Sequence, residues 1–426
     1  MELGVTFIGS LTVDVIKMID RYPPVGMLCK IGEIRRCVGG LAANTAISLK
    51  VLDPSLDVRS MGMIGGDQNG EYVLRTLDSY GIERSGVRAH PSLPTSFTDV
   101  MTDEAAGART FFHQEGACAA FGYGDVAFGL VGTTHAHVGY ALLLKSMDAP
   151  DPECGSVMAR VLRRLKAAGV TTSIDIVSES AERYQAVVIP CLKHVDYLFL
   201  NEIEASAVTG IPLPGAGGAS SAGGASSASS AGGAGGASSA SSVGGADGAS
   251  SASSVGEAGG ASSASSVGGA GGASSASSAG GAGGASSASS VGGADGAGGA
   301  DGAVCAEAES AAMHRMCEAL LAHGIGKMAI IHSPRGGWAM DAASRSRYFA
   351  PSLKLPPGFI KGTVGAGDAF CAGMLHGLLR GATATEALEI ANLAAAANLS
   401  HSDSISGMRP LGELRRDPVL RGGLMA

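Results

Sequence analysis

The chain has 426 residues, with 30 lysines and arginines against 38 aspartates and glutamates, for a net charge of −8. It has no basic run that could form a nucleic-acid footprint or a membrane-surface patch, so partners of those kinds are not expected. Its eight cysteines form no Cys-x-x-Cys pair and no cluster with histidine, which argues against a zinc site or a disulfide framework and for reduced thiols in a cytoplasmic protein.

The N-terminus enters an apolar run directly, with no basic leader and no cleavage site, so residues 5–8 read as a first core strand and not as a signal sequence. No later apolar run reaches the about 20 residues needed to cross a bilayer. The strand ends in Gly9-Ser10, and Asp14 follows just past its carboxyl end, where ligands bind in an α/β protein; a turn or cap residue is the alternative. Residues 15–38 mix strand and turn, broken by Pro23-Pro24. Gly39-Gly40-Leu41-Ala42-Ala43-Asn44 then leads into a helix through Ile47, Leu49 and Leu52. The two glycines permit close backbone approach to a ligand, and Asn44 offers a donor and an acceptor to a polyhydroxylated one; tight helix-on-sheet packing would use the same glycines.

Residues 61–67 read as strand then turn, with a helix over 70–80. Residues 96–101 and 109–113 form a hairpin, which is atypical of a helix-covered parallel sheet. With strands near 13–20 and 30–38 it is assigned to a small sheet acting as a lid. Regular alternation follows: strands at 134–138, 172–176 and 197–200, and a helix over 155–168. The last of these strands ends in Asn201-Glu202-Ile203-Glu204.

Many of the 66 glycines fall in residues 215–303, a tract that is almost wholly Gly, Ala and Ser. Glycine does not recur every third residue, which excludes collagen, and so few sizeable side chains cannot offset the entropy of ordering. A disordered insert is expected there, with a silk-like stack as the alternative. The remaining residues, 1–214 and 304–426, suffice for one large domain with a lid.

After the tract come a helix over 311–323, a strand over 328–331 and the turn Ser333-Pro334-Arg335-Gly336-Gly337. The stretch Gly362-Thr363-Val364-Gly365-Ala366-Gly367-Asp368 is a glycine turn feeding a helix, since Phe370, Met374, Leu375 and Leu378 recur at helical spacing. Such a helix N-terminus suits a phosphate. Asp368 would repel that phosphate, so it reads either as a base that takes the proton of an attacking hydroxyl or as an ordinary N-terminal cap. A last alanine-rich helix over 385–399 contains Asn392 and Asn398, with Gly407 beyond it, and its small residues leave room for a flat ring.

Three motifs in order, Gly39-Gly40 with Asn44, Asn201 with Glu204, and Thr363 to Asp368, resemble those of the ribokinase, or PfkB, family of carbohydrate and nucleoside kinases. The resemblance covers essentially everything outside the tract. It implies a ribokinase-like doubly wound α/β three-layer sandwich with a β-sheet lid, binding a sugar under the lid and ATP with Mg2+ along the C-terminal half. A homodimer through the lid is one arrangement it leaves open. It places Asp14, Gly39, Gly40 and Asn44 on the substrate, Asn201 near the phosphates, and Glu204 near the metal. Gly365, Ala366 and Gly367 become the anion hole, Asp368 the base, and Ser333, Gly336, Asn392 and Asn398 nucleotide contacts. Arg109 and His113 in the lid hairpin are substrate contacts or solvated lid residues. Two positions depart from the family. Gly362 stands where an Asp often helps to bind a monovalent cation, so weak potassium dependence is expected, and the nucleotide-side turn differs, with Arg335 offered to a phosphate. A nucleoside kinase and an inactive sugar or nucleotide sensor are the alternatives.

Overall fold

Among the described residues the strands form a nine-stranded sheet, a four-stranded sheet and a two-stranded one. A computed structural model describes residues 2–103, 109–178, 181–214 and 300–424. The hairpin turn at 104–108 and the tract up to residue 299 lie outside the described residues. The strands in chain order are β1 (Glu2–Gly9), β2 (Thr12–Ile19), β3 (Ile31–Gly39), β4 (Asp57–Gly65), β5 (Glu83–His90), β6 (Phe97–Asp103), β7 (Arg109–Gln114) and β8 (Thr133–Ala141). They continue as β9 (Pro150–Asp151), β10 (Gly155–Ser156), β11 (Thr171–Ile176), β12 (Tyr197–Asn201), β13 (Met328–Ser333), β14 (Gly336–Asp341) and β15 (Arg347–Pro351).

The large sheet has the order β15-β14-β13-β12-β11-β8-β1-β4-β5. From β13 to β5 every pairing is parallel, as in Val5 opposite Val58 on one side and His135 on the other. Val5, Thr6, Phe7 and Ile8 are all fully buried, which is what a parallel strand covered on both faces requires. Because β1 has β4 on one side and β8 on the other, the strand order reverses there, and a crevice opens at the carboxyl ends.

The β14 and β15 edge is antiparallel and was not expected. Gly336 and Gly337, read as turn residues, begin β14 and pair with Ser333 and His332, so the turn shrinks to Pro334-Arg335. The helix expected over 311–323 is Ala300–Leu321, because the Ala- and Glu-rich stretch before residue 311 continues it. Helix Ala384–Asn398 packs along helix Ala366–Leu379, with Gly373 against Ala391 and Gly377 against Ala387, so much of its small-residue character serves helix packing.

The second sheet, in the order β3-β2-β6-β7, is the expected lid, and β2 follows β1 directly. It has a small core of its own, Ile16, Cys37 and Val100, with Met18 and Phe111 packed against it. No helix among the described residues is long and apolar enough to cross a membrane.

Candidate active site

Helix Ala366–Leu379 begins at Gly365, whose φ of 76° is left-handed and whose added Cβ would lie 2.5 Å from the Ser404 Cβ. Only glycine fits that turn. Asp368 sits in the first turn but is not the cap: the helix has no side-chain cap bond, and the carboxylate faces other elements. Its Oδ1 accepts from the Thr45 hydroxyl at 2.7 Å and from the Tyr140 hydroxyl, and its Oδ2 accepts from Asn44 Nδ2 at 3.2 Å. Asn44 and Thr45 lie on helix Leu41–Leu52, and Tyr140 at the carboxyl end of β8. Burial raises the Asp368 pKa, while these three donors pull it down.

Asp368 borders two cavities. The one under the lid is also lined by Asp14, Gly40, Asn44, Thr98, Phe111 and His113. Gly39 makes room for Asp14, since a Cβ there would lie 2.5 Å from Asp14 Oδ2. Burial pushes the Asp14 carboxyl up to about 7 against the pull of the Thr98 hydroxyl, and the nearby Asp368 adds to the rise. Asn44 lines this cavity but is already a bridge, accepting from Ser404 Oγ at 3.0 Å and donating to Asp368. His113 Nδ1 lies 3.0 Å from Thr98 Oγ1, and burial lowers its pKa.

The second cavity gathers Asp368 with Asp175, Glu204, Arg109, Gly365 and Gly367. Ala366, expected in the anion hole, does not line it: its N–H turns back to Thr363 O at 3.4 Å. Asn201 and Glu204 form a reciprocal capping box, with Asn201 Oδ1 accepting from Glu204 N at 2.8 Å and Glu204 Oε2 from Asn201 N at 2.9 Å. Asn201 is therefore fixed as a helix cap, leaving a buried Nδ2 without a partner, while Glu204 reaches the cavity.

Burial pushes Glu204 up to about 7, and Asp175 is raised well above its ordinary value by burial and by the charges of Glu204 and Asp368. Carboxylates converging on one cavity, each disfavoured as an anion, match the oxygen ligands and charge that a magnesium ion would satisfy. Asp175, Tyr140 and Thr45 were missed by sequence reasoning. Asp175 and Tyr140 carried a usable signal, since both lie at carboxyl ends of strands in the parallel sheet.

A third space, an open cleft, shares His332, Thr363 and Gly367 with the second cavity. Leu353, Leu355 and Ile360 line it together with Ala395, Ala396 and Leu399, an apolar setting for a planar ring. Ser333 and Asn392 line it too, although the Asn392 amide already donates to Ala350 O at 2.9 Å and Pro351 O at 3.0 Å.

The structure takes two expected nucleotide contacts elsewhere. Gly336 is paired within β14, and Asn398 is buried, donating to Ser404 O at 2.7 Å and so bracing the loop behind Gly365. Arg335 pairs with Glu309 at 3.0 Å on the surface. Trp338 is buried against Phe349 and donates to Ser310 Oγ at 3.1 Å.

A family model described as pfkB family carbohydrate kinase matches residues 3–250 and 300–410. An ATP-dependent ribose-1-phosphate kinase of Halopiger xanaduensis is 27% identical over 201 residues, which span 47% of this chain and 62% of that protein. The structure of Arabidopsis thaliana ribokinase complexed with ribose and ATP is similar, with a TM-score of 0.61 and 17% identity over 99% of both chains. So is Burkholderia thailandensis nucleoside kinase in complex with inosine, at 0.59 and 16%, again over 99% of both. At these identities the likeness is one of fold, and the fold is ribokinase-like.

Proposed function

The chain belongs to the pfkB family of carbohydrate kinases, and from that premise we propose that it transfers the γ-phosphate of ATP to a primary alcohol of a sugar. One observation carries this reading: Asp368 borders both the cavity under the lid and the one that opens into the apolar cleft. A hydroxyl bound beside Asp14 would meet the terminal phosphate of a nucleotide in the cleft at that carboxylate.

In this reading Asp368 takes the hydroxyl proton, and Asp14 with the Gly39-Gly40 turn and Asn44 orients the acceptor. The N–H groups at the start of helix Ala366–Leu379 stabilise charge on the transferring group. Glu204 and Asp175 would hold the magnesium ion, which neutralises phosphate charge when bound. Lid closure excludes water. Residues 1–214 and 304–426 make up one kinase domain, and exposed Ile31, Ile34 and Phe112 on the lid sheet offer an apolar face for a second copy, which light scattering of the purified protein would detect.

A second reading is a nucleoside kinase. The aromatic rings of Phe111 and Tyr140 line the cavity under the lid, where a base could stack. ADP release measured with a panel of sugars, ribose 1-phosphate and nucleosides separates the two. Absence of acceptor-dependent ADP release across the panel would favour a sensor and overturn both.

A further inference from the structure

We propose that His137, Asp175 and Cys371 form a site for a zinc-type divalent cation beside the phosphoryl-transfer centre, and that filling it draws Asp175 away from magnesium. The cation site stands on geometry alone, while the loss of magnesium binding rests on the kinase reading above. All three residues are buried, and one ligand atom from each lies within 4.8 Å of the other two. Cysteine spacing along the chain argues against zinc, but the set is assembled from two neighbouring strands and a helix, which no window of sequence records.

Strands β8 and β11 pair in parallel with Ser173 opposite His137. His135 and His137 therefore share a face with Ser173 and Asp175, and Cys371 meets that face from helix Ala366–Leu379, one turn past Asp368. The His137 ring is fixed by T-shaped contacts with Phe7 and Phe199, at centroid distances of 5.7 Å and 5.6 Å, and by its Nδ1, which lies 2.6 Å from Ser173 Oγ. Ser173 Oγ also lies 2.7 Å from His135 Nε2. With the serine proton given to His135, Ser173 accepts the Nδ1–H of His137 and leaves the Nε2 lone pair for the cation. Metal-bound imidazoles are commonly held by such an outer partner.

His137 Nε2 faces Cys371 Sγ at 3.4 Å. A tetrahedral ion bound about 2.3 Å from sulfur and about 2.0 Å from nitrogen holds those two atoms about 3.5 Å apart, so the pair already stands at ligating separation. Asp175 supplies the third ligand and also lines the cavity of Glu204 and Asp368, which gives the ion an entry path and a water for its fourth position. Thiolate, imidazole and carboxylate together suit zinc or cobalt(II), whereas magnesium takes oxygen ligands in octahedral geometry. On binding, the Cys371 thiol proton leaves to solvent and a sulfur lone pair forms the bond to the metal, with no change of oxidation state. Asp175 drawn toward His137 and Cys371 leaves Glu204 alone to hold magnesium.

The test uses the full chain, stripped of metal with a chelator, returned to chelator-free buffer and titrated with Co2+. A thiolate-to-cobalt charge-transfer absorption should appear, be displaced by Zn2+, and be absent from Cys371→Ser. Ser173→Ala should weaken Zn2+ binding by about 10- to 100-fold. With MgATP and an acceptor identified from the panel, micromolar Zn2+ should lower the wild-type rate by about tenfold or more. Cys371→Ser should keep the zinc-free rate and need at least about 100-fold more Zn2+ for the same inhibition. Cys371→Ala, which buries no hydroxyl, carries the test if the serine variant does not fold. A wild type without the absorption, or a Cys371→Ser protein that retains it, overturns the site. Equal zinc inhibition of wild type and variant overturns the withdrawal of Asp175, since zinc then acts elsewhere. A protein that shows the cobalt signal but transfers no phosphate to any acceptor sinks the kinase reading and leaves the cation site standing.

Discussion

Tyr140 donates its hydroxyl to Asp368 across 228 residues of sequence, tying the carboxyl end of β8 to the first turn of helix Ala366–Leu379. The bond favours the ionised carboxylate against the burial that opposes it. Tyr140 thereby helps keep the proposed base in the form that can accept a proton.

Replacement of Tyr140 by Phe removes that donor and should raise the Asp368 pKa. The acid limb of the kcat/KM profile should move to higher pH, with most of the loss recovered above the displaced limb. A rate-versus-pH series on the two proteins checks this. A uniform loss at every pH would place Tyr140 in another role.

Asp368→Asn should lower kcat by about 100-fold or more while ATP binds as well or better, because a negative charge beside the phosphate is gone. Asp368 makes no cap bond, so helix capping cannot account for such a loss. ATP titration with steady-state rates separates binding from chemistry, and a fully active variant would end the mechanism proposed here.

Asp14 has its pKa raised from 3.8 to about 7 in the fold. Folding thus favours its protonated form. The associated stability is complete below the unfolded value of 3.8, and it is lost as pH rises through the folded value of about 7. Asp14→Asn removes the cost of ionisation, so its Tm relative to wild type should rise between pH 5 and pH 8. Paired thermal scans measure this, and a difference that stays flat or falls with pH contradicts a buried, disfavoured carboxylate.

Activity should depend only weakly on potassium. Gly362 supplies no carboxylate to a cation, and the Arg109 guanidinium already brings a fixed positive charge beside it. Titration of KCl against a choline salt at constant ionic strength tests this. A strong requirement would mean that backbone carbonyls hold the ion unaided.

Residues 215–299 carry almost no side chain able to join a core or perform chemistry. Their replacement by a short Gly/Ser linker should leave kcat and Tm nearly unchanged, since loop length enters closure entropy only logarithmically. A large fall in kcat would assign the tract a part in the site.

The sequence alone determined the α/β class, the lid and three of the turns that build the site, because each is written in a short window. An apolar run of four, a hairpin alternation, or a glycine pair before a helical period needs no knowledge of distant residues. That is how Gly39-Gly40, Glu204 and Gly365 to Asp368 could be picked out. Tertiary structure decided what those windows face. Asn201 turned out to be a cap and Asn398 a brace, since an amide offers the same groups to a ligand as to a backbone, and only its neighbours choose. Whether Asp368 is a cap or a buried carboxylate held by Thr45 and Tyr140 depended on strand order, which sets β8 beside β1 and brings helix Leu41–Leu52 against helix Ala366–Leu379. Asp175 joins Glu204 and Asp368, and Arg109 finds its seat at Gly362, for the same reason: charges brought together by the sheet and its lid from segments far apart in the chain interact through space, and no local pattern of residues records that distance.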